Sequence, residues 1–209
     1  MTLSNGIHSS NGTHPDPQGP PADDEPKRVL IILDVQVGML SDPPKGIPAG
    51  TFVGANIAAI LAHARAAPTP PRIVHIRNCG DPGEDDEHGA PGWALVHAPL
   101  PGEFVVDKRK NNAFAGTELG ALVPPTAEIV LVGMQSDFCI RATCSAALSR
   151  GNEVLLVRGA HATYDRVEVL DHGTITPAAV VEAEIEGELE EAGVIMLEMK
   201  DLPQLFTDS

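Results

Sequence analysis

The stretch Arg28-Val-Leu-Ile-Ile-Leu-Asp34 constrains the fold more than any other part of the chain. A strand with one face in water alternates apolar and polar residues, whereas an unbroken aliphatic run fits a strand covered on both faces, as in a parallel sheet. Similar runs follow at Arg72-Ile-Val-His-Ile-Arg77, Glu103-Phe-Val-Val-Asp107, Glu128-Ile-Val-Leu-Val-Gly133, Glu153-Val-Leu-Leu-Val-Arg158 and Val194-Ile-Met196. Helical patterns lie between them. Thr51 to Ala66 carries Phe52, Ile57, Ile60 and Leu61 and is stopped by Pro68-Thr-Pro-Pro71. Cys139 to Arg150 reads as a helix of small residues ended by Gly151. Pro177 opens a helix whose Val181, Ile185 and Leu189 recur at i, i+4 and i+8. Strands alternating with helices predict an α/β chain: three layers, with a doubly wound, mostly parallel six-stranded sheet of Rossmann-like topology.

Composition narrows the function. Fourteen Lys+Arg against 29 Asp+Glu give a net charge of −15, a field that repels phosphate backbones and anionic lipid. Neither nucleic acid nor a membrane surface is an expected partner, and the apolar runs are too short to span a bilayer. The acids Glu182, Glu184, Glu186, Glu188, Glu190 and Glu191 read as a solvated face of like charges on the last helix. Residues 1–26, with Pro15, Pro17, Pro20, Pro21 and Pro26 among polar residues, read as a disordered leader, leaving 27–209 as the folded domain. The start of the chain has no signal-peptide pattern, and three cysteines without framework spacing read as thiols in a reducing compartment. A cytoplasmic location is expected.

In an open α/β sheet, ligands bind beyond the carboxyl ends of the strands, where strand order reverses. Three reactive residue types stand at such ends: Asp34 after the first strand, Lys108 after the third, and Cys139 in the Met134-Gln-Ser-Asp-Phe-Cys139 segment after the fourth. A cysteine at a helix start has its thiol pKa lowered by the dipole, and its own N–H can serve an oxyanion. Ser136 or Asp137 would be the N-cap. Position alone leaves Cys139 open between a nucleophile and a small buried hydrophobe, while Cys79 and Cys144 read as inert. Asp34 is open between a base, a metal ligand and a loop cap, and Lys108 between a partner of Asp34 and a solvated basic turn. No G-x-G-x-x-G follows the first strand, which argues against a dinucleotide site.

The segments RVLIILDVQ, VVDKRKNNAFAGTEL and IVLVGMQSDFCIRATCSAALSRGNEVLLV resemble the three signature segments of the isochorismatase-like cysteine hydrolases, a group that includes nicotinamidases and related amidases. The resemblance covers about residues 27–200. It implies a catalytic triad of Asp34, Lys108 and Cys139, and a cis peptide between Met134 and Gln135 that aims the Gln135 N–H beside that of Cys139 as an oxyanion hole. It further implies hydrolysis of a small amide through a thioester. Two alternatives stay open: a vinyl-ether hydrolase of the isochorismatase type, and a binding protein that has lost turnover. The metal-binding nicotinamidases carry a D-x-H…H set that the stretch His75-Ile-Arg-Asn-Cys-Gly80 lacks, so neither metal nor other cofactor is expected. Gln36, Trp93, Phe114 and Gln135 flank these motifs and are the candidates for a substrate pocket. Trp93 lies in a Gly-rich loop able to cover the site, and for Trp93 and Phe114 plain core packing stays open as the other reading. A homo-oligomer, dimer or tetramer, is expected, with a small molecule as substrate.

Overall fold

The computed structural model describes residues 25–170 and 172–207, so the predicted leader lies outside the described residues except for its last two. One parallel sheet contains β1 (Arg28–Leu33), β2 (Arg72–Asn78), β3 (Phe104–Lys108), β4 (Glu128–Met134) and β5 (Val154–Ala162). A hairpin of β6 (Arg166–Glu168) and β7 (Thr174–Thr176) follows, and β8 (Ile195–Leu197) completes the sheet at its edge. Five α-helices accompany them among the described residues: α1 (Gly50–Ala66), α2 (Leu119–Leu122), α3 (Arg141–Arg150), α4 (Ala178–Ala192) and α5 (Leu202–Leu205). The sheet order is β3-β2-β1-β4-β5-β8, so the chain builds outward from β1 on one side and then from β4 on the other. The reversal falls between β1 and β4. No helix among the described residues is long and apolar enough to cross a membrane.

β1 shows why the predicted architecture holds. Its side chains alternate between two cores. Val29, Ile31 and Leu33 pack with Cys144 and Ala147 of α3 and with Val181, Ile185 and Leu189 of α4. Leu30 and Ile32 pack on the other face with Val53, Ile57, Ile60 and Leu61 of α1 and with Leu202 and Leu205 of α5. Each of these five β1 side chains is worth roughly 1.5–3 kcal/mol of transfer free energy when buried. A polar residue at any of them would face helices whichever way it pointed.

Four local expectations need correction. The helical stretch after β4 begins at Ser136 with one π turn, Ser136–Ile140, before α3, and neither Ser136 nor Asp137 caps it. Their side chains bond across to β5 and the residue after it instead: Ser136 Oγ to His161 and Asp137 Oδ1 to Thr163. β5 runs past its predicted end to Ala162 through Gly159 at φ 73°, and its register with β4 shifts so that Gly133 faces His161. The hairpin β6–β7 was not expected, because three-residue strands are too short to leave a period-2 pattern. The acids of α4 are not simply solvated. Arg158 reaches Glu186 and Glu190, Arg166 reaches Glu184, Arg141 reaches Glu188, and Glu182 accepts the Thr163 N–H. Helical spacing cannot reveal cations that arrive from a neighbouring strand or helix.

Gly133 fixes how closely β1 and β4 approach at the reversal. It has φ 127°, and a Cβ there would lie 1.9 Å from the Leu33 carbonyl oxygen. Gly151, the C-cap of α3, has φ 94° but open space around it. Gly133→Ala should therefore cost more than ~3 kcal/mol or prevent folding, whereas Gly151→Ala should cost ~1 kcal/mol. Thermal melts of the two variants check this; equal losses would show that the close approach at Gly133 is unimportant.

Candidate active site

The carboxyl ends of β1, β3 and β4 bring Asp34, Lys108 and Cys139 together. Asp34 has φ 55°, a left-handed conformation that Asp tolerates better than most residues, and its N–H bonds the Ile76 carbonyl at 3.0 Å. Its carboxylate faces Lys108 at the end of β3. Lys108 is the last residue of β3, and its side chain is 0% exposed. Its Nζ lies 2.8 Å from Asp34 Oδ2 and donates to Cys139 Sγ at 3.2 Å and to Asn78 Oδ1 at 3.2 Å. Full burial excludes the solvated basic turn. An ammonium so desolvated needs a compensating charge, and Asp34 supplies it.

The electrostatics assign protons. Burial raises the Asp34 carboxyl above the ordinary carboxylate range, against the pull of Lys108. Burial also works against the Lys108 ammonium, but Asp34 and then Cys139 outweigh it and hold it charged above its ordinary value. Burial and the neighbouring Asp34 carboxylate push the Cys139 thiol up to about 12. This overturns the expectation of a thiol acidified by a helix start: Cys139 is in the first turn after Gln135, but desolvation and the Asp34 carboxylate outweigh the N–H groups there. Cys139 is therefore a neutral thiol at rest, beside a Lys108 held as the ammonium. Asp34 Oδ1 is buried and unpartnered among the described residues.

A cleft of about 190 Å³ opens onto Asp34 and Cys139, with Met39, Asn78, Asn111, Met134, Gln135 and Phe138 around it. The Met134–Gln135 peptide is cis. Of the four pocket candidates from the sequence, only Gln135 lines this cleft. Gln36 is buried and spends its amide on Asn78 and the Trp93 carbonyl, with bonds of 2.9–3.1 Å. Trp93 donates to Cys79 Sγ at 3.2 Å and is capped by the Arg77 guanidinium 3.3 Å from its ring centre. Phe114 packs against the α3 side of the core under Arg150. Sequence reasoning missed Asn78, which continues from Lys108 to Asp86 through a 2.6 Å bond. The rule of inspecting strand ends would have found it had β2 been extended by one residue. Phe138, half exposed beside Cys139, was legible inside the same motif.

Cys139 is the only one of the chain's three cysteines that is not buried. Among the described residues, no three His, Cys, Asp or Glu side chains are grouped as metal ligands.

The isochorismatase domain model matches residues 28–174. Two streptothricin hydrolases of Streptomyces noursei are 37% and 36% identical over 158 and 160 residues, covering 73% and 74% of this chain. The matches cover only 56% and 62% of those proteins, so the chain spans little more than half the length of these curated relatives. The crystal structure of an isochorismatase from Pseudomonas putida KT2440 superposes with a TM-score of 0.74 at 28% identity, covering 88% of this chain and 93% of that one. An N-carbamoylsarcosine amidase from Thermoplasma acidophilum, at 18% identity and a TM-score of 0.65, covers 83% and 96% and shares the fold.

Proposed function

This chain belongs to the isochorismatase family, and from that premise we propose that it is a cysteine hydrolase that opens a small amide through a thioester on Cys139. The observation that carries the proposal is Lys108 Nζ, fully buried and within 3.2 Å of both the Asp34 carboxylate and the Cys139 sulfur. A purely structural lysine does not require a thiol as its second partner.

In the proposed reaction, Asp34 takes the thiol proton as Sγ forms a bond to the amide carbonyl carbon. The developing oxyanion is met by the N–H groups of Gln135 and Cys139. Protonated Asp34 then gives its proton to the departing nitrogen, the C–N bond breaks, and the acyl group remains on sulfur. Water attacks the thioester while Asp34 accepts its proton; cleavage of the S–C bond releases the acid and restores the thiol. Lys108 keeps Asp34 ionised between turnovers and steadies the sulfur as negative charge grows on it. The neutral resting thiol suits this scheme, since proton transfer and bond formation occur together in the cleft.

The test is a panel of small amides and lactams that includes streptothricin, run beside isochorismate, with ammonia, amine and acid products quantified. Cleavage of any C–N bond, with loss of activity when Cys139 alone is alkylated by iodoacetamide, is the expected outcome. Cleavage of isochorismate only would replace amide hydrolysis with ether hydrolysis. Preferential labelling of Cys79 or Cys144 at neutral pH would remove Cys139 from the scheme.

A further inference from the structure

Behind the Gln135–Cys139 turn runs a set of buried polar contacts that acyl transfer does not use. Ser136 is fully buried, and its Oγ lies 2.9 Å from His161 Nδ1. His161 is also buried, and its Nε2 lies at an ion-pair distance of 3.2 Å from Glu186 Oε1, without the geometry of a hydrogen bond. Arg158 holds Glu186 from the other side at 3.0 Å. One helical turn earlier on α4, Glu182 accepts the Thr163 N–H at 3.1 Å, and Thr163 Oγ1 donates to Asp137 Oδ1 at 2.5 Å. Two polar chains therefore connect α4 with consecutive residues of the catalytic turn, through the end of β5 and the residue after it. Neither Ser136 nor His161 lines the cleft. Burying such groups is costly unless they are paired, so simple packing would be better served by apolar residues at both positions. The register shift of β5 puts His161 opposite Gly133, directly beneath the turn.

We propose that Ser136, His161 and Glu186 form a positioning relay that fixes the turn bearing the Gln135 and Cys139 N–H groups. The inference rests on the reading of Cys139 as the acyl acceptor and of these N–H groups as its oxyanion donors. A donor stabilises an oxyanion only when aimed in advance at the place where charge develops. The sulfur itself is governed from elsewhere, by Asp34 on the β1 side and Lys108 on β3. Loosening the relay should therefore slow reactions that pass through an oxyanion and spare those that need only the sulfur.

Two probes separate these reactions. p-Nitrophenyl acetate acetylates Cys139: the S–C bond forms, the C–O bond breaks, p-nitrophenolate leaves and the thiol proton goes to Asp34. Iodoacetamide alkylates the same sulfur by displacing iodide, with no oxyanion. In Ser136→Ala and His161→Leu, the acetylation burst should slow by ~10–100-fold, part of what a lost oxyanion donor costs, while alkylation stays within about threefold. His161→Asn, whose amide can occupy the place of Nδ1, should recover at least about tenfold in acetylation over His161→Leu. If His161→Leu does not fold, Ser136→Ala still reads the split, since it deletes one buried oxygen. Equal slowing of both probes, no slowing of acetylation, or an Asn variant no better than Leu would overturn the relay. A parent enzyme that is alkylated but never acetylated at Cys139 would instead overturn the acyl-transfer reading, and the relay with it.

Discussion

Cys139→Ala should leave a folded protein whose turnover is lower by at least ~10⁵-fold, the scale on which a catalytic nucleophile fails. No other thiol can substitute. Cys144 is buried in the core, where desolvation pushes it up to about 12, and Cys79 is buried against the Trp93 indole N–H. The melting temperature should change by no more than a few degrees, because a half-buried sulfur removed from the edge of a cleft leaves a small, open void. Alkylation of the parent protein reads the resting state of the thiol. Cys139 is pushed up to about 12 by burial and by Asp34, so its iodoacetamide alkylation should rise steadily between pH 7 and 10. A plateau beginning near pH 6 would mean that the thiolate pre-exists, and Asp34 would then not be needed to generate it. Residual turnover above ~1% of the parent in Cys139→Ala, where a lost nucleophile leaves far less, would assign the chemistry to another group.

What the sequence made legible follows from the range of the interactions involved. The aliphatic run at Val29–Leu33 and the i, i+4, i+8 stripe at Val181, Ile185 and Leu189 are local patterns, and they predicted the buried strand and the packed helix face. Asp34, Lys108 and Cys139 were found because topology sends the ends of parallel strands to one edge. The failures are long-range. Gln36 was read as a pocket residue because it follows Asp34, yet its amide is consumed by Asn78 and Trp93, 42 and 57 residues away. His161 carries no local sign of its place, because that depends on a register shift against β4. The acids of α4 resembled a solvated face until Arg158 arrived from β5. The helix-start argument for Cys139 failed on magnitude: a dipole effect of ~0.3–1 kcal/mol yields to the larger cost of desolvating a thiolate.

Asp34 and Lys108 should behave as one unit in catalysis and as opposing charges in stability, and the two behaviours have opposite signatures. Asp34→Asn keeps the shape but cannot carry a proton, and loss of general acid–base assistance should lower turnover by ~10²–10⁴-fold or more. Lys108→Met should be comparably severe although Lys108 transfers no proton, because burial would then protonate an unpaired Asp34 and remove the base. Since both act through Cys139, the double variant should be little slower than the slower single. For stability, Asp34→Asn strands the buried Lys108 ammonium, and Lys108→Met leaves a buried Asp34 that must take up a proton, each at a cost of up to ~3–5 kcal/mol. The double variant strands neither and should melt at a higher temperature than either single. A thermodynamic cycle by denaturant unfolding, measured beside steady-state kinetics on the same proteins, checks both halves. Losses of rate that multiply in the double variant would show that Asp34 and Lys108 serve separate steps. A double variant less stable than both singles would show that the buried charges are not each other's compensation. Near-parental turnover in Lys108→Met would leave its contact with the Cys139 sulfur without a catalytic purpose, and the triad would reduce to Asp34 and Cys139.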